Sequence, residues 1–355
     1  MNHLILFIRY SVYFLILFAL LILLYIVLRR VYQQVKHKRF HRRYVQIEEE
    51  LLNALSTPGP ESAALLAEKY TRYPDVLTNL LLDYAKALSG PEKERLKIIY
   101  RIALEKKSLK DLTSRWMSKR LRATRLLGFF IDALKIESML KLLEDKPIVR
   151  LAAVQAISQL STPETLSFVF QAFEADSCPN IHSYISIIFR LGGSAEDCIR
   201  EVLKKPISIE KIALLIELVG AIPLRSLCPA ILSFAGHPEK EVRIKVARAL
   251  GGLLNPDSAP TLVRLASDEA WEVQAQAVKS LGKLKSPEAL YVLSQAFFSK
   301  NWFVRFNARS GLMNLGAAGT KRLVEISQQT HDAYAAAMAA MALHDLYLSS
   351  EPGSP

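Results

Sequence analysis

The sequence predicts an all-α protein in which an N-terminal transmembrane helix is followed by an α-solenoid of helical hairpins. Three observations predict it. A unit of about 31 residues is written twice in succession, as HPEKEVRIKVARALGGLLNPDSAP from His237 and SDEAWEVQAQAVKSLGKLKSPEALY from Ser267, and periods in this range mean stacked helical hairpins. Apolar residues recur at helical spacing within each unit. Near the N-terminus, Tyr10 to Leu28 form nineteen residues without a charge.

Residues 1–28 are read as a short stub and the membrane span. At 1.5 Å per residue the uncharged run reaches about 30 Å, the thickness of a bilayer core. A cleaved signal peptide would carry its positive charge before the core and a small-residue site after it; here Arg29 and Arg30 follow instead. Seven Lys and Arg residues follow the span within residues 29–43 and one, Arg9, precedes it. The positive-inside rule then puts the C-terminal side in the cytoplasm, as a single-pass protein of the cell inner (plasma) membrane.

Residues 29–60 are expected to continue the helix out of the bilayer and end in a hinge. The first part is basic (RRVYQQVKHKRFHRR) and suits contact with anionic lipid over residues 29–43. His37 and His41 share metal-ligand spacing but stand among cations with no carboxylate near, so no metal is assigned. The STPGPES stretch breaks the helix. Residues 61–118 have helical pattern outside the register of the repeat, as an irregular first part of the array.

Residues 119–348 hold the repeat. With Val242 as anchor, equivalent positions fall at Lys119, Val149, Ile181, Ile209, Val242, Val273, Val304 and Tyr334, spaced by 28 to 33 residues. Apolar residues follow each anchor by four, eight and eleven, as at Val246, Leu250 and Leu253. Pro163, Pro223, Pro256 and Pro287 stand fourteen after their anchors, and Pro147, Pro179, Pro206 and Pro238 just before theirs, marking helix starts. Gly192-Gly193 and Gly251-Gly252 are read as left-handed helix caps. Residues 349–355 are expected to form a disordered tail.

The run Val242, Arg243, Val246, Ala247, Leu250, Gly251 resembles the HEAT family, in particular the short HEAT-like repeats of phycobilisome lyases. That resemblance implies that the arginine after the anchor pairs with an aspartate between repeats, here Arg150, Arg243 and Arg305, with Asp145 and Asp268 among the acids. Ile181, Ile209 and Val273 are followed by His182, Glu210 and Gln274, so the ladder is interrupted.

Charge and chemistry narrow the function. The net charge of +12 lies mostly in residues 1–43, which hold eight Lys and Arg and no acid, leaving +4 for the rest. A nucleic-acid groove needs more unopposed cations than that. Three cysteines, Cys178, Cys198 and Cys228, show no paired spacing, so neither disulfide nor zinc is assigned. No phosphate-binding loop, nucleophile elbow or zinc-protease motif is present. No cofactor and no catalytic residue is assigned.

The expected function is a membrane-anchored scaffold or adaptor presenting a repeat surface to a protein partner, such as a membrane enzyme complex. The alternatives are a bilin-lyase-like enzyme and a nucleic-acid-binding HEAT-like protein. The expected contact is a ridge on the second helices, made by Tyr291, Gln295, Phe298 and Ile326 with Arg264 and Arg322. Trp271 and Trp302, each two residues before an anchor, are expected on one edge of adjacent repeats, as packing or as a binding pair.

Overall fold

A computed structural model describes residues 2–130, 135–160, 162–176 and 181–350. Among these residues the chain is helical throughout, and its contacts divide it into two compact units, Met1–Ala156 and Ile157–Pro355. Cys178, Pro179 and residues 351–355 of the expected tail fall outside the described residues, while Ser349 and Ser350 still belong to the last helix.

The first unit opens with α1 (Asn2–Ser56), a single helix of 55 residues. It is followed by α2 (Glu61–Tyr70), α3 (Pro74–Tyr84), α4 (Pro91–Ala103), α5 (Glu105–Leu112), α6 (Met117–Phe129), α7 (Ile136–Leu140) and α8 (Pro147–Ile157). Leu17, Leu20, Leu23, Leu24 and Leu28 of α1 are exposed, and from Leu17 onwards the helix is long and apolar enough to cross a membrane. Thirty residues later the same helix is core: Ile47, Leu51, Ala54 and Leu55 are buried against α2, α3 and α4. Tyr44 donates to Asp83 at 2.8 Å, Tyr84 to Glu48 at 2.7 Å, and Lys69 and Tyr70 to Glu50 at 2.7 and 2.6 Å. The carboxylate of Glu48 pushes the Tyr84 phenol up to about 12. The break at Thr57–Pro60 comes after these contacts, so it turns α1 back into a packed hairpin with α2 and does not space the span from the unit.

The second unit contains α9 (Pro163–Ala175), α10 (Ile181–Leu191), α11 (Glu196–Leu203), α12 (Ile209–Ala221), α13 (Cys228–Leu232) and α14 (Lys240–Leu253), then α15 (Ala259–Leu265), α16 (Trp271–Leu284), α17 (Pro287–Ala296), α18 (Trp302–Asn314), α19 (Ala317–Gln329) and α20 (Ala333–Ser350). The helices alternate, and first helices α12, α14, α16 and α18 lie side by side. Their buried stripes follow the repeat: Val242, Val246, Leu250 and Leu253 in α14, and Val273, Ala277 and Leu281 in α16, are each fully buried.

Two register readings are corrected. Ile209, expected as an anchor, is 46 % exposed at the first position of α12. The buried equivalent of Val242 is Lys211, two residues on; its ammonium donates to the Glu174 carbonyl at 2.8 Å and lies 5.4 Å from the centre of the Phe173 ring. A charged side chain whose stem is buried and whose head is satisfied breaks the apolar pattern without breaking the fold.

Gly251 and Gly252 are not caps. Both lie inside α14, and the left-handed residue that ends the helix is Leu254, with φ 50°; Lys285 does the same after α16, with φ 53°. Gly251 is needed for proximity, since a Cβ there would stand 2.4 Å from the Ser280 hydroxyl and 3.0 Å from its Cα. Gly192 does adopt the expected positive φ, 57°.

Candidate partner-binding surface

The arginine after each anchor fastens one hairpin to the next. Arg243 donates to both carboxylate oxygens of Asp268, at 2.7 and 2.8 Å, and to the carbonyls of His237 and Pro238 behind it. Arg305 repeats the pattern on Asp332 at 3.0 Å and on the Ser299 carbonyl. In the first unit the equivalent residue is Arg120, which grips Asp145 at 2.5 and 2.7 Å and the Ser114 carbonyl at 2.7 Å. Arg150, placed in the ladder by the resemblance, donates to the Asp145 carbonyl at 3.0 Å. Arg120 and Asp332 were missed because Lys119 and Tyr334 are poor anchors; the spacing of 25 to 27 residues between arginine and aspartate would have found them.

These aspartates are held ionised. The Arg120 hydrogen bonds bring the Asp145 carboxyl below the usual carboxylate range. Burial lifts Asp268, but Arg243 and the Ala270 amide outweigh it and the carboxyl ends below that range. These are structural groups, and they fix the surface that the hairpins present.

The expected ridge on the second helices forms only in part. Tyr291 is 69 % exposed and accepts from the Gln295 side chain at 3.1 Å, on a shared face of α17. Phe298 is partly exposed and packs edge-on against buried Phe297, with ring centres 6.0 Å apart. Arg264 is exposed on α15, and Arg322 of α19 is spoken for by Glu325 at 2.8 Å and the Ser294 hydroxyl at 3.2 Å.

Ile326 does not belong to the ridge: it is 3 % exposed. The helix α19 begins thirteen residues after Val304, whereas α17 begins fourteen after Val273. One residue turns a helix by about 100°. Leu323 and Ile326 therefore occupy the buried places that Leu262 and Leu265 hold in α15, one residue earlier in the count.

The first-helix edge carries a larger apolar surface. Trp271 opens α16 and Trp302 opens α18, and the ring of Trp271 stacks on Phe303 with centres 5.4 Å apart. Trp302 stacks on Phe306 at 5.1 Å and meets Phe303 edge-on at 5.1 Å. All four rings remain between 41 % and 53 % exposed. With Ile244, Ala275 and Asn307 they line an open groove of about 530 Å³, flanked by Lys279 and by Arg248, whose guanidinium is paired to Glu217 at 2.7 Å. Phe303 and Phe306 were missed by the sequence reading. Both lie off the buried stripe of Val304, Ala308 and Leu312, and two aromatic residues on the solvent side of a short helix were the available signal.

Residues 227–312 and 264–344 match a family model described as HEAT repeats. Residues 227–344 are a HEAT-repeat array. The chain is similar in fold to solved structures of low identity. Kap121p bound to Nup53p superposes with a TM-score of 0.51 at 11 % identity, covering 84 % of this chain and 41 % of that one. The karyopherin Kap121p bound to the SUMO protease Ulp1p gives 0.50 at 12 % identity, covering 84 % and 41 %. The chain thus spans about two fifths of the karyopherin's length, and the likeness shows the HEAT solenoid fold alone. The complex of CpcE and CpcF of phycocyanin lyase from Nostoc sp. PCC7120 is 18 % identical, covering 67 % of this chain and 93 % of that one, with a TM-score of 0.31. No curated protein matches the sequence.

Proposed function

We propose that this protein is a non-catalytic, membrane-anchored adaptor whose HEAT array holds a protein partner at the inner face of the plasma membrane. The observation that carries the reading is the exposed cluster of Trp271, Trp302, Phe303 and Phe306. Contiguous exposed aromatic surface on a soluble unit marks an interaction site, and tryptophan is the residue type most enriched among interface hot spots. Four rings held on two adjacent, tightly packed helices lose little entropy when a partner covers them.

The edge is favoured over the second-helix ridge as the main contact. Without Ile326 the ridge keeps only Tyr291 and Phe298 as large apolar groups, and Arg322 is already paired. Tyr291, Gln295, Phe298 and Arg264 are assigned a flanking contact.

The membrane part of the proposal rests on α1. Its apolar first half supplies a single span, and the basic residues 29–43 fix its orientation with the array in the cytoplasm. Because α1 runs on into the core of the first unit, the span and that unit share one continuous helix.

Quantitative co-purification from native membranes tests the adaptor reading. A Trp271→Ala/Phe303→Ala variant should lose the proteins that wild type retains while urea unfolding stays cooperative, since both rings are about half exposed and lie off the buried stripe. Retention of every partner by this variant would overturn the assignment of the edge.

A further inference from the structure

Where α1 leaves the bilayer in this reading, it forms one wall of a groove of about 520 Å³ whose other wall is the start of α3. Lys36, Arg39 and Arg43 face it from α1, and Arg72 faces it from the turn before α3. No carboxylate among the described residues lies within ion-pair distance of these four. Asp75 also lines the groove, but it is already paired to Lys107 at 3.4 Å and Arg122 at 3.3 Å. The Arg43 guanidinium lies 4.6 Å from the centre of the Tyr73 ring, which fixes it at the groove wall. Apolar surface comes from Tyr32, Val35, Phe40 and Val76.

We propose that this groove binds the headgroup of an anionic phospholipid, with Lys36, Arg39 and Arg72 on the phosphate and the glycerol end of the lipid along Tyr32 and Val35. The proposal rests on the reading that α1 spans the membrane. Height along the helix decides for a lipid. Tyr32 and Lys36 stand about 6 and 12 Å beyond Leu28 along the axis, and the headgroup layer of one leaflet is about 5–8 Å deep. Helical side chains lean toward the N-terminus of their helix, here toward the bilayer, and long basic stems extend that reach. The mouth of the groove thus opens at headgroup level, with Lys36 just above it and Arg39 most of a helical turn further along, reaching back on its long stem. A diffuse basic stretch would attract anionic lipid without a preferred position; Arg72 and Tyr73, brought from the turn before α3, make this a formed site.

The test uses the full-length protein in detergent, with lipid retention read by native mass spectrometry against phosphatidylglycerol, phosphatidylcholine and inorganic phosphate. The triple variant Lys36→Gln/Arg39→Gln/Arg72→Gln should lose phosphatidylglycerol affinity on the order of 100-fold. The triple variant Arg30→Gln/Lys38→Gln/Arg42→Gln, which removes the same charge outside the groove, should change it by less than about threefold. Arg39→Gln alone, at an exposed helix position, should weaken binding about fivefold and serves if the triple variant folds poorly. Equal loss in both triple variants, or equal retention of phosphatidylcholine, would overturn the site. Displacement of the lipid by millimolar inorganic phosphate would assign the groove to a soluble anion instead and overturn the lipid. Alkaline carbonate extraction reads the anchor separately: release of the wild-type protein from membranes overturns the span, whereas retention without lipid discrimination overturns the groove alone.

Discussion

Arg243 holds its own hairpin and the next one at once, and it is nearly buried while doing so: its side chain is 8 % exposed and that of Asp268 9 %. Removing one partner of such a pair strands a charge in low dielectric, so Asp268→Asn should cost about 3–5 kcal/mol in urea unfolding. Glu272→Gln, which breaks the exposed pair with Lys240, should cost less than about 1 kcal/mol. The acid limb follows with a definite sign. Asp145 and Asp268 have native carboxyls depressed below the unfolded value. Their contribution is complete above the unfolded value of about 3.9 and drains away as pH falls through the lower native one. Unfolding between pH 4 and pH 2 should accordingly be shallower in Asp268→Asn than in wild type. At this scale the sequence was legible where chemistry repeats, as at Arg243 and Arg305, and opaque where a residue plays against type. Lys211 took an anchor position that hydropathy gives to Ile209.

Between elements, the first helices approach through small residues, and this was read wrongly from sequence because a glycine near a helix end suggests a cap. A Cβ on Gly282 would lie 2.5 Å from the Gly311 Cα, and one on Gly220 2.5 Å from the Ala249 Cα. Backbone cannot swing aside as a flexible side chain can. Gly282→Ala should therefore destabilise the second unit by about 1–3 kcal/mol despite the better helix propensity of alanine, as read from the urea midpoint. Helix α1 offers the complementary case. Its apolar first half was evident from composition, but the burial of Leu51 was not, since an acidic and apolar run after a basic one gives no hint of which neighbours will cover it. Leu51→Ala should cost about 2–5 kcal/mol. The loss should appear as hydrogen exchange in residues 2–156 and leave residues 227–344 unaffected.

For the whole molecule, periodicity fixes the class of fold because every hairpin must bury the same stripe against its neighbours. The contact surface is written in what periodicity leaves over, and there a shift of one residue matters. The count that predicted Ile326 on the outside failed because α19 starts a residue early; Phe303 and Phe306 escaped notice because nothing in the repeat requires them. The proposed contact for the partner is those rings, with Trp271 and Trp302. It is tested most directly by photocrosslinking in living cells, with a benzophenone amino acid placed at position 303 or 306 on the edge, or at 291 or 298 on the second helices, of the full-length protein. One discrete protein adduct is expected from 303 and 306, lost when Trp302→Ala is added, with weaker adducts or none from 291 and 298. Adducts from 291 and 298 with none from 303 and 306 would contradict it.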